Sequence, residues 1–256
     1  MSFLARLSAF LGPRQEAPAA PAGLPLTQPA IPVLAIGDAD AAAAPDLLVR
    51  PTPAMLRALG VPDAEAWAAA LAPACRSHGI TTRDRLAAFL AQVGHESAGF
   101  RRLAESLDYT PEALRLMWPS RFDADLAWRL GRRSGHPAEQ QQIAEIAYGG
   151  RLGNRPAGAG DGWAFRGRGL LQHSGREGYE LVARWAGLPV AEVAGYLEAR
   201  EGAAESAAHW WSEMGCNELA DAGAFDSITR RINGGTNGAT DRQRRWAAAR
   251  EVVEVA

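Results

Sequence analysis

Lysine is missing from the 256 residues: all 27 basic positions are arginine. That removes Schiff-base lysines, phosphate-loop lysines and Ser-Lys pairs from the chemistries open to the chain. Cysteine is nearly missing too. Cys75 and Cys216 are too few for a disulfide scaffold, and no CxxC or Cys/His spacing offers a metal site, so two buried free thiols are expected. No apolar run reaches the 18 or so residues that span a bilayer. A basic excess is also lacking: the formal charge of −2 argues against a dedicated nucleic-acid binder. What remains is ordinary for a folded protein, with 47% hydrophobic and 22% charged residues.

Proline is abundant only at one end. Nine of the 16 prolines fall between Pro13 and Pro53, interleaved with alanine. Density of this kind removes amide donors and blocks helices, so residues 13–53 read as an extended linker. Residues 1–12, Met1 to Gly12, are apolar with a single arginine. They fit a short amphipathic segment that touches a membrane or a partner, or a weak signal peptide. Residues 54–256 are long enough for one domain with a sizeable core.

Within that domain the apolar residues recur at helical spacing. Helices are expected from Pro62-Asp63 to near Ser77, from Thr81-Thr82-Arg83-Asp84 into Ser97, and over 111–117, 123–131, 138–147, 175–186, 190–198, 200–214, 224–232 and 239–253. Residues 149–169 hold eight glycines and cannot form a regular helix. They read as a loop with a small hairpin near Trp163 to Arg168. The class is mainly α with a minor β element.

Two glutamates draw attention. Leu86, Phe89, Leu90 and Val93 define one buried stripe, and Glu96, seven residues after Phe89, stands at its flank in the last turn. Desolvation and the negative helix end both disfavour the charged form there, which suits a general acid that must hold its proton. An ion pair with Arg101 or Arg102 is the plain alternative. In a continuous helix Glu105 would face away from Glu96. A left-handed turn at Gly99 permits a reversal that brings it across a cleft, at separations glycoside chemistry uses.

Four blocks carry a family resemblance. Phe89 to Phe100 (FLAQVGHESAGF) with Leu103 to Thr110 (LAESLDYT), Gly167 to Tyr179 (GRGLLQHSGREGY), Arg231 to Gly235 (RINGG), and Asp241-Arg242 with Trp246 resemble, in order, the signature of glycoside hydrolase family 19. They are most similar to its bacterial and bacteriophage lytic branch. The resemblance implies a lysozyme-like α+β hydrolase domain that cleaves β-1,4 bonds between N-acetylated sugars with inversion and without a cofactor. Glu96 would be the general acid, Glu105 the general base and Ser174 the group that holds the attacking water. Gln172, Asn233, Tyr109, Arg168 and Trp163 would contact sugar, and Arg242 would order the carboxyls. Two departures stand out: Asp108 adds a carboxyl close to Glu105, and His173 stands where a small or apolar residue is usual.

Other features favour plainer readings. His95 has no second histidine at ligand spacing, so no zinc site is expected. Gly167-x-Gly169 lacks the strand and acidic partner of a dinucleotide loop. Trp210, Trp211 and Trp246 read as core, while Trp118 and Trp163 at turns are candidate sugar platforms. Arg230, Arg231, Arg242, Arg244, Arg245 and Arg250 form a basic concentration fit for an anionic wall or membrane. The expected substrate is peptidoglycan, as for an endolysin-type muramidase made in the cytoplasm and acting on the cell wall, with chitin as the alternative. A non-catalytic phage protein that binds wall glycan is the reading from another class. The expected state is a monomer.

Overall fold

The computed structural model describes residues 49–254. Val49 already belongs to the folded unit, since its amide donates to the Thr81 carbonyl at 2.9 Å. Pro53, assigned to the linker on proline density, instead opens helix α1 (Pro53–Ala58), with the Thr52 hydroxyl accepting from the Met55 amide. Proline in a first helical turn forfeits no hydrogen bond, so proline count alone misplaces this boundary. The expectations for residues 1–12 and 13–48 fall outside the described residues.

The remaining helices are α2 (Ala64–Ser77), α3 (Arg83–Glu96), α4 (Pro111–Met117), α5 (Ala124–Leu130), α6 (Gln140–Tyr148), α7 (Asp161–Ala164), α8 (Gly175–Ala186), α9 (Val190–Glu198), α10 (Arg200–Glu213), α11 (Cys216–Asp221), α12 (Phe225–Asn233) and α13 (Ala239–Glu254). Apart from α1, α7 and α11, each sits within about two residues of its expected span. Thr82, Thr110 and Asp123 cap α3, α4 and α5 by accepting an amide of the first turn. Among the described residues no helix is long and apolar enough to cross a membrane.

Three apolar clusters organise the molecule. The largest joins α1, α2, α3 and α10 to α13, with Phe89 edge-on to Trp211 at 5.3 Å. Helix α3 lies inside it, packed mainly on α13. A second cluster gathers α4 to α6 around Leu107, Leu114, Trp118 and Tyr148, and a third joins α8 to α9. Each fully buried leucine or phenylalanine contributes about 1.5–3 kcal/mol. Cys75 and Cys216 are buried free thiols; burial pushes both up, Cys216 to about 12. Neither is a ready nucleophile.

The small β element differs from the expected hairpin. Trp163 lies in the single turn α7, and the pairing consists of isolated bridges between Ala104 and Arg168 and between Arg168 and His173. The cause is a set of anchors inside the glycine-rich loop. Glu145 of α6 accepts the amides of Gly158, Gly160 and Trp163. Asp161, 3% exposed, pairs with both Arg155 and Arg176 at 2.8 Å. The Arg155 hydrogen bond leads the forces that hold its carboxyl far below the usual range, against desolvation. A charge buried so fully is tolerable only with this complement.

Candidate active site

Glu96 is the last residue of α3, and the chain turns back sharply just beyond it. Ala98, Gly99 and Phe100 have φ of 52°, 72° and 65°, three successive left-handed residues. Two of them are not glycine, so the turn is held by contacts that offset the strain. The Ser97 hydroxyl donates to the Val93 carbonyl at 2.7 Å and accepts from the Phe100 amide at 2.8 Å. The chain then runs extended beside the second block. Gly169 donates to the Leu103 carbonyl and Glu105 to the Gly167 carbonyl, both at 2.8 Å. This pairing fixes the backbone of Glu105.

Each glutamate has its own set of partners. Arg242 of α13, 2% exposed, donates to the Glu96 carboxylate and to the side-chain oxygen of Gln92, one turn earlier on α3. Gln92 in turn donates to the Thr229 hydroxyl of α12 at 2.8 Å. The network therefore ties three helices together behind one carboxylate. Neither Arg101 nor Arg102 makes the pair. The pair is made instead by Arg242, which reaches Glu96 from α13.

Glu105 belongs to the other side. The Tyr148 hydroxyl, at the end of α6, donates to its Oε1 at 2.6 Å, and the Gly167 amide donates to its Oε2 at 3.2 Å. Burial, then the charge of Glu105, push Tyr148 well above the ordinary phenol range. Tyr109 is raised by the same two causes and sits edge-on to Trp118 at 5.3 Å. Tyr148 and Thr229 lie outside the four blocks, and Gln92, inside the first, shows no sign there of its partners. Each meets its partner across a long stretch of chain, and only the aligned network marks them.

The other expected residues are sorted by what they touch. Ser174 precedes α8, buried, with its hydroxyl donating to the Gln172 carbonyl at 3.1 Å. Gln172 holds a φ of 51°, and its amide donates to the Gly169 carbonyl at 2.9 Å. Asn233 ends α12 and donates to the Asn237 carbonyl at 3.2 Å. Arg168 does not reach out as a sugar contact. It is buried and engaged with the Ala164 carbonyl, Tyr179 and Glu198, bracing the glycine-rich segment from inside.

Asp108, half-exposed, pairs with Arg132 at 3.0 Å. His173 lies inside the fold. It is buried, and desolvation with the nearby His209 lowers it to about 4. Trp118 is core, not a platform, and one face of Trp163 is covered by the Arg166 guanidinium 3.8 Å from the ring centre.

Two cavities lie near these elements without reaching either glutamate. One of about 290 Å³ is lined by Leu59, Leu90, Phe100 and Arg245 among others. On α3 its lining positions 90, 91 and 94 face away from the side that carries Gln92 and Glu96. The other, about 660 Å³, is bordered by Trp67, Leu103, Glu198 and Arg200.

No protein-family model matches the chain. A Glycosyl hydrolase family 19 domain-containing protein of Haemophilus influenzae is 36% identical over 172 residues, 66% of this chain and 80% of that one. The chain belongs to glycoside hydrolase family 19. It is therefore a glycoside hydrolase. Chitinase C from Streptomyces griseus superposes with a TM-score of 0.51 at 18% identity, covering 80% of this chain and 92% of that one. A chitinase C mutant gives 0.50 at 17% identity, covering 84% and 79%. At these identities the likeness shows the family 19 fold alone.

Proposed function

We propose that this family 19 hydrolase cleaves β-1,4 bonds of bacterial peptidoglycan by an inverting mechanism, as an endolysin-type enzyme acting on the cell wall. Glu96 protonates the glycosidic oxygen. Glu105 draws the proton from a water that attacks the anomeric carbon from the opposite face. Ser174 helps to hold that water, and Gln172, Asn233 and Tyr109 contact the sugar. The observation that carries the reading is the division of labour around the two carboxylates. Glu96 is held by a buried arginine from α13, Glu105 by a tyrosine and a backbone amide from the other lobe. Two carboxyls with separate supports suit one acid and one base, whereas a shared site would suit a single proton.

Peptidoglycan is favoured by the form of the four blocks, which resemble the bacterial and bacteriophage lytic branch. Chitin is the second reading, favoured by neighbours that are named chitinases. Both polymers present the same N-acetylglucosamine groups. Digestion of purified peptidoglycan and of chitin oligomers, with mass spectrometry of the new reducing ends, separates the two. Glu96→Gln is expected to lower turnover by about 10²-fold or more on the true substrate. Near-normal turnover by that variant on both polymers would sink the acid assignment.

A further inference from the structure

We infer that the cavity between α1, α3 and α13 is a binding site for a fatty-acid anion, one apolar chain with a carboxylate head. The site is independent of the roles given to Glu96 and Glu105, since it faces away from the side of α3 that carries Glu96. The cavity, about 290 Å³, is floored by Leu90, Phe100 and Ala249, all buried. Its charged lining is arginine alone. Arg101 and Arg244 are exposed and Arg245 half-buried, and no acidic residue lines the cavity among the described residues. An apolar space edged by a single sign of charge matches a ligand with an apolar body and an anionic end.

The arginines are set in place by the protein itself. Arg245 lies along Gly94 of α3, its Nη1 3.5 Å from where a Cβ would stand, and Arg101 lies closer on Gly99, at 2.7 Å. Both guanidiniums therefore rest against the backbone where α3 ends. Arg101 donates to the Gly60 and Gly99 carbonyls at 3.2 and 3.4 Å and has no carboxylate partner among the described residues. Arg244 and Arg245 share one carboxylate, Asp241, which also lies 2.7 Å from the His95 Nδ1. Three guanidiniums thus meet a single acid, and the edge of the cavity is left electropositive. The planar arginine fork suits a carboxylate head. The volume lies at the low end of small-molecule sites, so it takes a single chain and not the two of a bilayer lipid.

The test is titration calorimetry of the full chain with monomeric hexanoate, octanoate and decanoate, and with decanol and acetate as the separate halves of the ligand. Affinity is expected to rise about fourfold for each added methylene that the cavity buries. Decanol should bind about tenfold more weakly than decanoate, for want of the charged head, and acetate should give no heat over the same range. Arg101→Gln, at an exposed position, is expected to weaken decanoate up to about fivefold and to leave decanol unchanged. Ala248→Phe, on the lining and also exposed, fills the cavity and abolishes binding of both. Should Ala248→Phe melt early, Arg101→Gln alone decides the location. No binding of decanoate, or an affinity that ignores chain length, would overturn the inference; the latter would leave only a surface anion site. Unchanged decanoate affinity in either folded variant would overturn it too. So would capture of the protein by phosphatidylglycerol vesicles without binding of monomeric decanoate, which would make the arginines a membrane contact.

Discussion

Arg242 shows what a single side chain contributes when burial leaves it no water. Its two terminal nitrogens bridge Gln92 and Glu96, a fork that lysine cannot copy with one ammonium. Arg242→Lys is therefore expected to lower stability by about 1–3 kcal/mol, the cost of one unmade buried bond. It should lower kcat as well, with urea unfolding and steady-state assay as the two measurements. Unchanged values in both would mean that the ion pair is incidental.

His173 makes a different prediction at the same scale. Its folded-state value of about 4 lies below the ordinary 6.5, with burial the first cause. Above pH 6.5 neither the folded nor the unfolded chain protonates it. Between 6.5 and 4 only the unfolded chain does, so acid favours unfolding across that window; below 4 both are charged and the slope ends. The stability lost is on the order of 3 kcal/mol. His209, lowered in the same direction, adds to it. The urea midpoint should fall from pH 7 to pH 4 in wild type, and less steeply in His173→Leu. Glu96 was legible as a candidate because a carboxyl beside an apolar stripe is visible in one helix, whereas Glu105 stood out only through the permitted turn at Gly99 and the family resemblance. Tyr148 was not legible, because its role exists only where α6 meets Glu105.

Among elements, periodicity served long helices and failed short ones. Helices α1, α7 and α11 have four to six residues, too few for a period to show. Loop chemistry was equally opaque. Eight glycines in 149–169 left room for no helix longer than the single turn α7, but the anchors Glu145 and Asp161 act on the loop through partners a sequence pattern cannot pair. Gly175, at the junction of loop and α8, offers the test. Its φ is 78°, and a Cβ there would lie 2.3 Å from the Leu152 Cβ and 2.6 Å from the Leu152 carbonyl oxygen. Backbone atoms cannot yield as a flexible side chain can. Gly175→Ala should cost about 2–4 kcal/mol from strain and overpacking together. A melting temperature equal to wild type would show that the loop rearranges freely.

At the scale of the whole molecule, the two candidate catalytic groups are attached to different apolar clusters. Glu96 extends from α3 in the largest cluster, while Glu105 is held by Tyr148 of the second. Catalysis then needs both lobes, and both lie within the described residues. Val49 is tied to Thr81 and Pro53 starts α1, so a chain beginning at Val49 keeps the contacts that close this end of the domain. Removal of residues 1–48 should leave the rate on purified glycan within about twofold of the full chain, with a similar melting temperature. If the apolar stretch of 1–12 is a delivery device, lysis of whole cells falls in the same comparison while hydrolysis of isolated walls does not. Loss of hydrolysis on isolated substrate would instead place part of the working site in the first 48 residues.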